Sequence, residues 1–323
     1  MIDFEDKNCL VTGGAGFIGS NLVHRLVELG SNVTVIDSLV PFQGGNMFNL
    51  EDVKDKIQFK KTDIREDITK FVKDKNYIFH LAAHTSHIRS MEHPIEDFQI
   101  NASSTLNILE SCRKSNTNVK IIYTGTRSQY GKIIENPVNE SHPLNPLDMN
   151  GISKTTAENY CMLYDKAYGI KSVSLRLTNT YGPRQQMKSN KLGFMTWFMR
   201  LALDNEDIKV FGGNQVRDLN FVSDVVDAIL LSVSNKTDGE VLNVGSGTGI
   251  SLLNLVKKII QIAGSGSYSI HPFPKNNKNI EIGNHITDIT KIKTLIGWRP
   301  KVPLEEGLRI TFDYYKEHKE KYW

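Results

Sequence analysis

Short apolar runs rich in β-branched residues recur along the first half of the chain, and segments with helical spacing separate several of them. Runs this short and apolar are typical of strands that are buried on both faces. Strands that alternate with helices predict an α/β fold built on a doubly wound parallel sheet. The predicted strands are residues 9–12, 33–36, 57–59, 78–83, 119–124 and 173–177, and the predicted helices among them are residues 22–27, 100–114 and 150–167.

A glycine-rich turn joins the first predicted strand to the first predicted helix. Glycines let the backbone bend sharply and approach a pyrophosphate, while the N-terminus of the helix offers unpaired N–H donors. The next strand ends at Asp37, 18 residues after Gly19, where a carboxylate would bind the ribose hydroxyls of adenosine. The segment predicts a dinucleotide site, and the charge of Asp37 favours NAD over NADP because it would repel a 2′-phosphate. An ordinary tight turn followed by a surface aspartate is the alternative. The residues expected at the cofactor here are Gly13, Gly16, Phe17, Ile18, Gly19 and Asp37.

The second half of the chain has a less regular pattern. Helical spacing predicts helices at residues 195–203, 223–232 and 251–263, and a final amphipathic helix passes through Leu304 and Phe312. A length of 323 residues is enough for two lobes with a sizeable shared core.

Composition excludes several classes of function. The net charge of +3, without a lysine- or arginine-rich block, does not favour nucleic acid as a partner. No apolar run approaches the ~20 residues of a membrane helix, and the N-terminal residues leave no room for a signal peptide. Cys9, Cys112 and Cys161 are widely spaced and lack metal-ligand spacing, which predicts no metal site, reduced thiols and a cytoplasmic location.

Further short motifs follow the glycine turn in order along the chain. They are His80-Leu81-Ala82-Ala83, Asn101, Tyr130-Gly131, Ser153-Lys154, Tyr181-Gly182-Pro183-Arg184, Arg217-Asp218, Asp224-Val225-Val226, Asn243-Val244-Gly245 and Gly297-Trp298-Arg299-Pro300. Nearly end to end, the chain resembles the extended short-chain dehydrogenase/reductase family, in particular its NAD-dependent sugar-nucleotide epimerases and dehydratases. The resemblance implies hydride transfer from a sugar carbon to NAD, which gives a transient keto sugar. Members of the family then return the hydride to the other face, eliminate water or decarboxylate.

The resemblance also implies how the chain is divided and which residues bind the ligands. A homodimer is expected, because the helices that begin near Asn101 and Asn150 form the interface in relatives. Asp63 could reach the adenine amine, and an N-cap role is the alternative. The expected domains are an NAD-binding Rossmann domain of residues 1–177, to which 212–246 return, and a substrate lobe of residues 178–211 and 247–323. Expected next to NAD are Asp63, Ile64, Leu81, Ala82, Ala83, Asn101 and Lys154, and next to the nucleotide sugar His84, Asn179, Arg184 and Arg217.

The catalytic helix departs from the family pattern. Relatives carry a tyrosine four residues before the lysine, and here that position is Asn150. An amide donates and accepts hydrogen bonds, but it does not act as a general base at neutral pH. Three interpretations stay open: a natural subgroup in which another group moves the proton, a protein that binds NAD and a sugar nucleotide but catalyses poorly, or an engineered replacement.

Other residues of the expected catalytic site are present. Thr126 lies where the family places its catalytic serine or threonine. The two positions after it, which hold an Asp-Glu pair in the dehydratases, are Arg127 and Ser128, so standard 4,6-dehydration is disfavoured. Arg127 could stabilise an alkoxide or bind a substrate carboxylate, or be a solvated loop residue. His84 and His87 are candidate proton carriers, and solvated loop histidines are the alternative.

The nucleotide is not identified by the sequence. The element that many relatives use to bind it corresponds to residues 280–284, which contain neither the Arg nor the Asp. Lys275 and Lys278 could supply charge instead. The leading expectation is NAD-dependent epimerisation of a nucleotide sugar; the alternatives are a sugar-nucleotide dehydrogenase or reductase, and a catalytically weak binding protein.

Overall fold

The computed structural model describes residues 3–41, 43–188, 193–273 and 282–323. Lys275 and Lys278 lie outside these ranges. The strands are β1 (Asn8–Thr12), β2 (Asn32–Asp37), β3 (Ile57–Lys61), β4 (Tyr77–His80), β5 (Lys120–Thr126), β6 (Ser172–Leu177), β7 (Asn179–Tyr181), β8 (Asp207–Phe211), β9 (Val216–Phe221), β10 (Glu240–Val244), β11 (Gly249–Ser251) and β12 (Ser267–His271). The helices are α1 (Phe17–Glu28), α2 (Thr69–Val72), α3 (His87–Glu92), α4 (Pro94–Phe98), α5 (Ser104–Ser115), α6 (Met149–Tyr168), α7 (Phe194–Leu203), α8 (Val222–Leu231), α9 (Leu252–Ala263), α10 (Thr290–Ile296) and α11 (Leu304–Tyr322).

Seven parallel strands form the central sheet, in the order β3-β2-β1-β4-β5-β6-β10. The apolar side chains of β1 and β5 are buried on both faces, as the short apolar runs predicted. The predicted doubly wound parallel sheet is confirmed. Strand order reverses between β1 and β4, and the carboxyl ends of strands diverge at such a point and open a crevice for ligands.

Helices cover both faces of the central sheet. On one face, α1 and α8 bury Leu22, Leu26 and Ile229 against the strands. On the other face, α5 and α6 bury Leu109 and Cys161. None of the helices in the described ranges combines the length and the apolar composition that crossing a bilayer requires.

Two small sheets and three helices form a second, mixed layer. β9 pairs with β7 in parallel and with β11 in antiparallel, while β8 and β12 form a separate parallel pair. A separate apolar cluster joins α7, α9 and α11 through Met199, Ile259 and Phe312. Residues 212–246, which are expected to return to the NAD-binding domain, contribute to two sheets: β9 lies in the three-stranded sheet and β10 in the central sheet. The domain boundaries stay a prediction.

Local hydrogen bonding explains two differences from the predicted elements. The strand predicted at 78–83 ends at His80, because the N–H groups of Leu81 and Ala82 donate to the side chain of Thr12. The segment predicted as one helix at 100–114 is divided: a π-helical turn at Gln99–Ser103 separates α4 from α5. Turns of this kind are frequent at functional sites.

The carboxylate of Asp218 joins three segments of the second layer, and its removal tests how much they depend on it. Asp218 is fully buried and accepts hydrogen bonds from the backbone N–H groups of Ser246, Gly247 and Thr287 at 2.7, 3.1 and 2.9 Å. Bonds to a charged acceptor contribute about 1.5–3 kcal/mol each. We expect Asp218→Ala to lower the free energy of unfolding by about 3 kcal/mol or more in urea titrations followed by circular dichroism. Glu66→Ala, at an exposed position, is the control and should change the free energy of unfolding by less than about 0.5 kcal/mol. Equal stability of the two variants would contradict the structural role of Asp218.

Candidate active site

A cleft of about 680 Å³ runs along the carboxyl ends of the central strands. It begins at the glycine turn after β1 and passes the ends of β2, β4, β5 and β6. The structure brings most of the predicted site residues to its walls, and Asn101 and Arg184 are the two that do not line it. The predicted residues that line it are Gly13, Gly16, Phe17, Ile18, Gly19, Asp37, Asp63, Ile64, Leu81, Ala82, Ala83, His84, His87, Thr126, Arg127, Asn150, Lys154, Asn179 and Arg217.

The glycine turn is as tight as its sequence indicates. Gly13 has a φ of +70°, and a Cβ atom there would lie 2.7 Å from the backbone of Ala82. A Cβ atom on Gly19 would lie 2.2 Å from the carbonyl oxygen of Gly13. Side chains at either position would therefore push the turn away from β4 or the helix away from the turn. The backbone surface that results lies at the N-terminus of α1, where unpaired N–H groups attract phosphate.

Asp37, the last residue of β2, lines the cleft next to the glycine turn. Its carboxylate accepts hydrogen bonds from the backbone N–H groups of Ala15, at 3.1 Å, and Leu39, at 2.8 Å. Burial raises the pKa of this carboxyl above its ordinary value, and the two hydrogen bonds oppose the shift. The carboxylate is thus fixed against the glycine turn at the cleft wall. Asp63, also at the wall, is bonded to the backbone and the guanidinium of Arg65.

A chain of hydrogen bonds runs beneath the cleft floor. Thr12 bonds His80 Nδ1 at 2.9 Å, and His80 Nε2 bonds Thr105 at 3.0 Å. The Thr105 hydroxyl donates to the carbonyl of Asn101. The Thr12 hydroxyl also accepts hydrogen bonds from the two backbone N–H groups that follow β4, so it donates its own proton to His80 Nδ1. We therefore assign the His80 proton to the other ring nitrogen, Nε2. Burial lowers the pKa of His80 to about 3, so this histidine is neutral and structural.

Asn101 is part of a buried cluster rather than of the cleft wall. Its amide donates to Asp97 at 3.0 Å and to the carbonyl of His84, and its oxygen accepts from the His84 backbone N–H. His84 Nδ1 bonds the same Asp97 carboxylate at 2.9 Å, and the two side chains are only 1% and 0% exposed. Burial would raise the pKa of Asp97, but hydrogen bonds led by His84 hold it below its ordinary value. The cluster fixes the loop after β4 in place.

Asn150 is fixed to the same loop. Its amide nitrogen donates to the carbonyl of His84 at 2.6 Å, and its backbone N–H donates to the Ser90 hydroxyl at 3.3 Å. The residue is 3% exposed. In this arrangement the side chain joins α6 to the β4–α3 loop and supplies no basic atom to the cleft.

Lys154 lies one helical turn after Asn150 on the same face of α6. Its ammonium group donates to the carbonyl of Thr124 at 2.9 Å and lies 5.0 Å from the centre of the Tyr123 ring. Burial lowers the pKa of Lys154 to about 8, against an opposing effect of Asp97. The structure thus places a buried cation beside the end of β5.

Thr126 and Arg127 lie at the end of β5. The Thr126 hydroxyl accepts a hydrogen bond from the N–H of Ser128, and its own backbone N–H donates to Gln129, which together form a capping box. Arg127 donates to the side-chain oxygen of Asn179 at 3.2 Å. The structure therefore brings together two residues that lie 52 positions apart in the sequence.

Two predicted ligand-binding arginines occupy different places. Arg217 lines the cleft and donates to the carbonyl of Gly283 at 2.9 Å. Arg184 donates to Asn21 at 2.9 Å and lies over the ring of Tyr314, away from the cleft walls. Its backbone φ of +73° places it in a tight turn between the two layers.

Asp148 is one of the cleft residues that the sequence analysis missed. Asp148 lines the cleft and is bonded to His87 Nδ1 at 2.8 Å. It also begins α6, because its other carboxylate oxygen accepts from the N–H of Gly151 at 2.7 Å. An aspartate just before a predicted helix is a recognised N-cap signal, but the predicted helix began at Asn150 and left it unexamined.

Comparison with known proteins gives three informative matches. The chain is 32% identical over 322 residues to the UDP-N-acetyl-alpha-D-glucosaminuronate decarboxylase of Bacillus cytotoxicus, covering 96% of this chain and 98% of that protein. It is 35% identical to the UDP-glucose 4-epimerase of Thermotoga maritima solved with UDP-glucose, with a TM-score of 0.87 and coverage of 97% and 99%. It is 30% identical to the UDP-glucose 4-epimerase of Thermus thermophilus solved with NAD, with a TM-score of 0.84 and coverage of 96% and 99%.

The match to a protein family covers most of the chain. Residues 10–311 match the family described as GDP-mannose 4,6 dehydratase. This range contains both the glycine turn and the helix that carries Lys154, which the structure places along one cleft. The chain therefore belongs to this family, among the extended short-chain dehydrogenases/reductases that act as NAD-dependent sugar-nucleotide epimerases and dehydratases.

Proposed function

We propose that this protein is an NAD-dependent epimerase that inverts one carbon of a nucleotide-activated sugar through a keto-sugar intermediate. The observation that carries the proposal is the cleft itself, which continues from the glycine turn to Lys154, Thr126 and Arg217. A dinucleotide site and an anion-binding site at two ends of one cleft suit a cofactor and a nucleotide sugar that meet in the middle. Relatives of similar length include epimerases solved with UDP-glucose and with NAD.

The residues at the first end fit NAD, and the comparisons confirm NAD as the cofactor. The space left by the missing side chains of Gly13 and Gly19 admits a pyrophosphate at the N-terminus of α1. Asp37 would accept hydrogen bonds from the adenosine ribose. When bound, NAD supplies a reversible acceptor for the hydride of a sugar carbon.

Residues at the other end have roles that their positions support. Lys154 is a buried cation that would hold the ribose of the nicotinamide. The Thr126 hydroxyl would hydrogen-bond the sugar oxygen whose carbon is oxidised. Arg127 and Asn179, which are bonded to one another, would contact the sugar, and Arg217 would bind a phosphate of the nucleotide.

Epimerisation fits this cleft better than dehydration. Elimination of water needs an acid and a base next to the reacting sugar, and the two residues after Thr126 are Arg127 and Ser128. A second candidate function is supported by the geometry of Asn150. Because that amide is bonded to the carbonyl of His84, the protein would bind NAD and a sugar nucleotide with weak catalysis if no other group moved the proton.

We also propose a homodimer in the cytoplasm. Apolar side chains on α4 and α6 are exposed: Ile95 by 70%, Phe98 by 45%, Ile152 by 46% and Leu163 by 54%. Ile152 and Leu163 are eleven positions apart, so they share one face of α6. Exposed apolar faces of this kind are typical of protein interfaces. The three cysteines are buried and unpaired, as reduced thiols would be.

The role of Asp37 predicts a specific loss of cofactor affinity. Asp37→Ala should weaken NAD binding about 10- to 100-fold, because a hydrogen bond to a charged group contributes about 1.5–3 kcal/mol. The variant should lose less affinity for NADP, since the carboxylate no longer repels the 2′-phosphate. Isothermal titration calorimetry with both cofactors measures the two changes. The exposed control Asp52→Ala should bind like the wild type, and equal losses for NAD and NADP would contradict the proposed contact.

A panel of nucleotide sugars in deuterated water tests the reaction. We expect one substrate to be converted to its epimer, without net NADH by absorbance and without deuterium on the inverted carbon by NMR. The carbon should stay free of deuterium because the hydride removed in the oxidation is the one returned. Formation of stoichiometric NADH would instead show a dehydrogenase. Loss of carbon dioxide would show a decarboxylase, and loss of water would show a dehydratase. Binding of nucleotide sugars without turnover would show a binding protein.

The exposed face of α6 predicts the oligomeric state. Analytical ultracentrifugation should show a dimer for the wild type, and Leu163→Glu should give monomers, because a charge would be buried in an apolar interface. Ile310→Glu is the matched control, since Ile310 is 41% exposed on α11, away from the proposed interface. A monomeric wild type, or a dimer in both variants, would contradict the proposal.

A further inference from the structure

An imidazole and a carboxylate form a pair at the start of α6. His87 is the first residue of α3, and its Nδ1 lies 2.8 Å from a carboxylate oxygen of Asp148. Both residues line the same cleft as Thr126, Asn150 and Lys154. The His87 side chain is 43% exposed, whereas the Asp148 side chain is 8% exposed. An accessible imidazole is thus held by a buried carboxylate two residues before the position where relatives carry their tyrosine.

The proposed oxidation requires a group that takes the proton of a sugar hydroxyl. Asn150 has no basic atom, and its amide is bonded to a backbone carbonyl. The Thr126 hydroxyl is not basic near neutral pH. The ammonium group of Lys154 donates a hydrogen bond to the carbonyl of Thr124, and an ammonium group has no lone pair with which to accept a proton. Imidazole is the side chain best suited to accept and return a proton at neutral pH.

The two histidines that follow β4 differ in access. His84 is also bonded to an aspartate, Asp97, but its side chain is 1% exposed and lies within the buried cluster that holds the loop. His84 borders the cleft, but its second ring nitrogen, Nε2, is buried and has no hydrogen-bond partner among the described residues. Among the described residues, the His87 ring is hydrogen-bonded through Nδ1 alone, so the opposite ring nitrogen, Nε2, is the one that can contact a ligand in the cleft.

Both oxygens of Asp148 are held in place. One accepts the N–H of Gly151 at 2.7 Å and caps α6, and the other bonds His87 Nδ1. A carboxylate at a helix N-terminus is stabilised as the anion by the helix dipole. Such an anion keeps the imidazole proton on Nδ1 and leaves the lone pair on Nε2, which is the tautomer that a general base needs.

We propose that His87, oriented by Asp148, is the proton carrier that replaces the tyrosine of the family. This inference rests on the proposed epimerisation. In the oxidation, the O–H proton of the sugar moves to Nε2 of His87 as the C=O bond forms, and bound NAD would supply the acceptor for the hydride that leaves the sugar carbon. In the return step, hydride adds to the other face of the carbonyl carbon and the imidazolium returns its proton to the oxygen. His87 is the catalytic residue, and Asp148 is a positioning residue.

Other charged groups surround the pair. On α3 itself, Arg89 is paired with Glu96 of α4 at 3.1 Å, and Glu92 lies near the end of the helix. The remaining charged groups on α4 and α6 are Asp97, Lys154, Glu158, Asp165 and Lys166, and the other cations that line the cleft are Arg65, Arg127 and Arg217.

Two conservative variants test the proton carrier and its partner. His87→Gln keeps a polar side chain without a basic nitrogen, and kcat for epimerisation should fall about 10²- to 10⁴-fold. Asp148→Asn keeps the N-cap, because asparagine caps helices as well as aspartate does. Its amide would donate to Nδ1 and shift the proton to Nε2, so kcat should also fall while NAD affinity stays unchanged. His93→Gln, at an exposed histidine outside the cleft walls, is the matched control and should behave as the wild type.

Readouts besides activity separate the catalytic role from a structural one. In the wild type, ¹⁵N NMR of the imidazole in the protein alone should show the proton on Nδ1, and in Asp148→Asn on Nε2. Protonation of a general base lowers kcat/KM towards acid pH, and this acidic limb of the wild-type pH profile should be lost in His87→Gln. Added imidazole should restore part of the activity of His87→Ala.

The outcomes distinguish the two proposals. An active wild type with an equally active His87→Gln variant would overturn the proton carrier and leave epimerisation intact. The same holds if the acidic limb of the pH profile persists in that variant, which would point to Lys154. A wild type that binds nucleotide sugars but converts none of them would overturn the proposed function, and the proton carrier with it.

Discussion

The close approach of the glycine turn to the end of β4 is the constraint on which the site depends. A Cβ atom on Gly13 would lie 2.7 Å from the backbone of Ala82, so the two chain segments are in direct contact only because no side chain separates them. The contact lies where the strand order reverses, between β1 and β4. It brings the N-terminus of α1 and the loop after β4 to the same crevice. The glycine turn and the loop after β4 therefore form one continuous wall of the cleft.

The loop after β4 lies along the part of the cleft in which we propose that the sugar binds. Two side-chain amides hold its backbone: Asn101 and Asn150 both donate a hydrogen bond to the carbonyl of His84. The Asn150 amide thus anchors the loop that leads to His87. In the mechanism that we propose, this amide and the oriented imidazole act together: one holds the loop and the other carries the proton.

The sequence predicted the parts of this molecule that depend on local patterns. Buried parallel strands are continuous apolar runs, and the glycine turn has a spacing that few other structures require, so the central sheet and the cofactor end were predictable. The end of β4 was not, because it depends on hydrogen bonds to Thr12, 70 residues earlier in the chain. The divided helix before α5 was also missed, because a π-helical turn has no strong sequence signal.

The candidate site was predictable as a set of residues but not as a set of contacts. His84 and His87 are indistinguishable in the sequence, three positions apart in one loop. Only the fold shows that His84 is buried against Asp97. Only the fold also shows that His87 is hydrogen-bonded to Asp148, which lies 61 positions later in the chain and caps the N-terminus of α6. Arg184 was predicted at the substrate from its place in a motif, yet a left-handed turn directs it towards Tyr314.

A crystal structure of the protein with NAD and its nucleotide sugar tests the central claim most directly. The decisive measurement is the distance from Nε2 of His87 to the oxygen on the sugar carbon that faces C4 of the nicotinamide. We predict a hydrogen-bond distance of about 2.6–3.2 Å, with Nδ1 still bonded to Asp148. A sugar oxygen bonded instead to Lys154, or with no contact to His87 at all, would contradict the account.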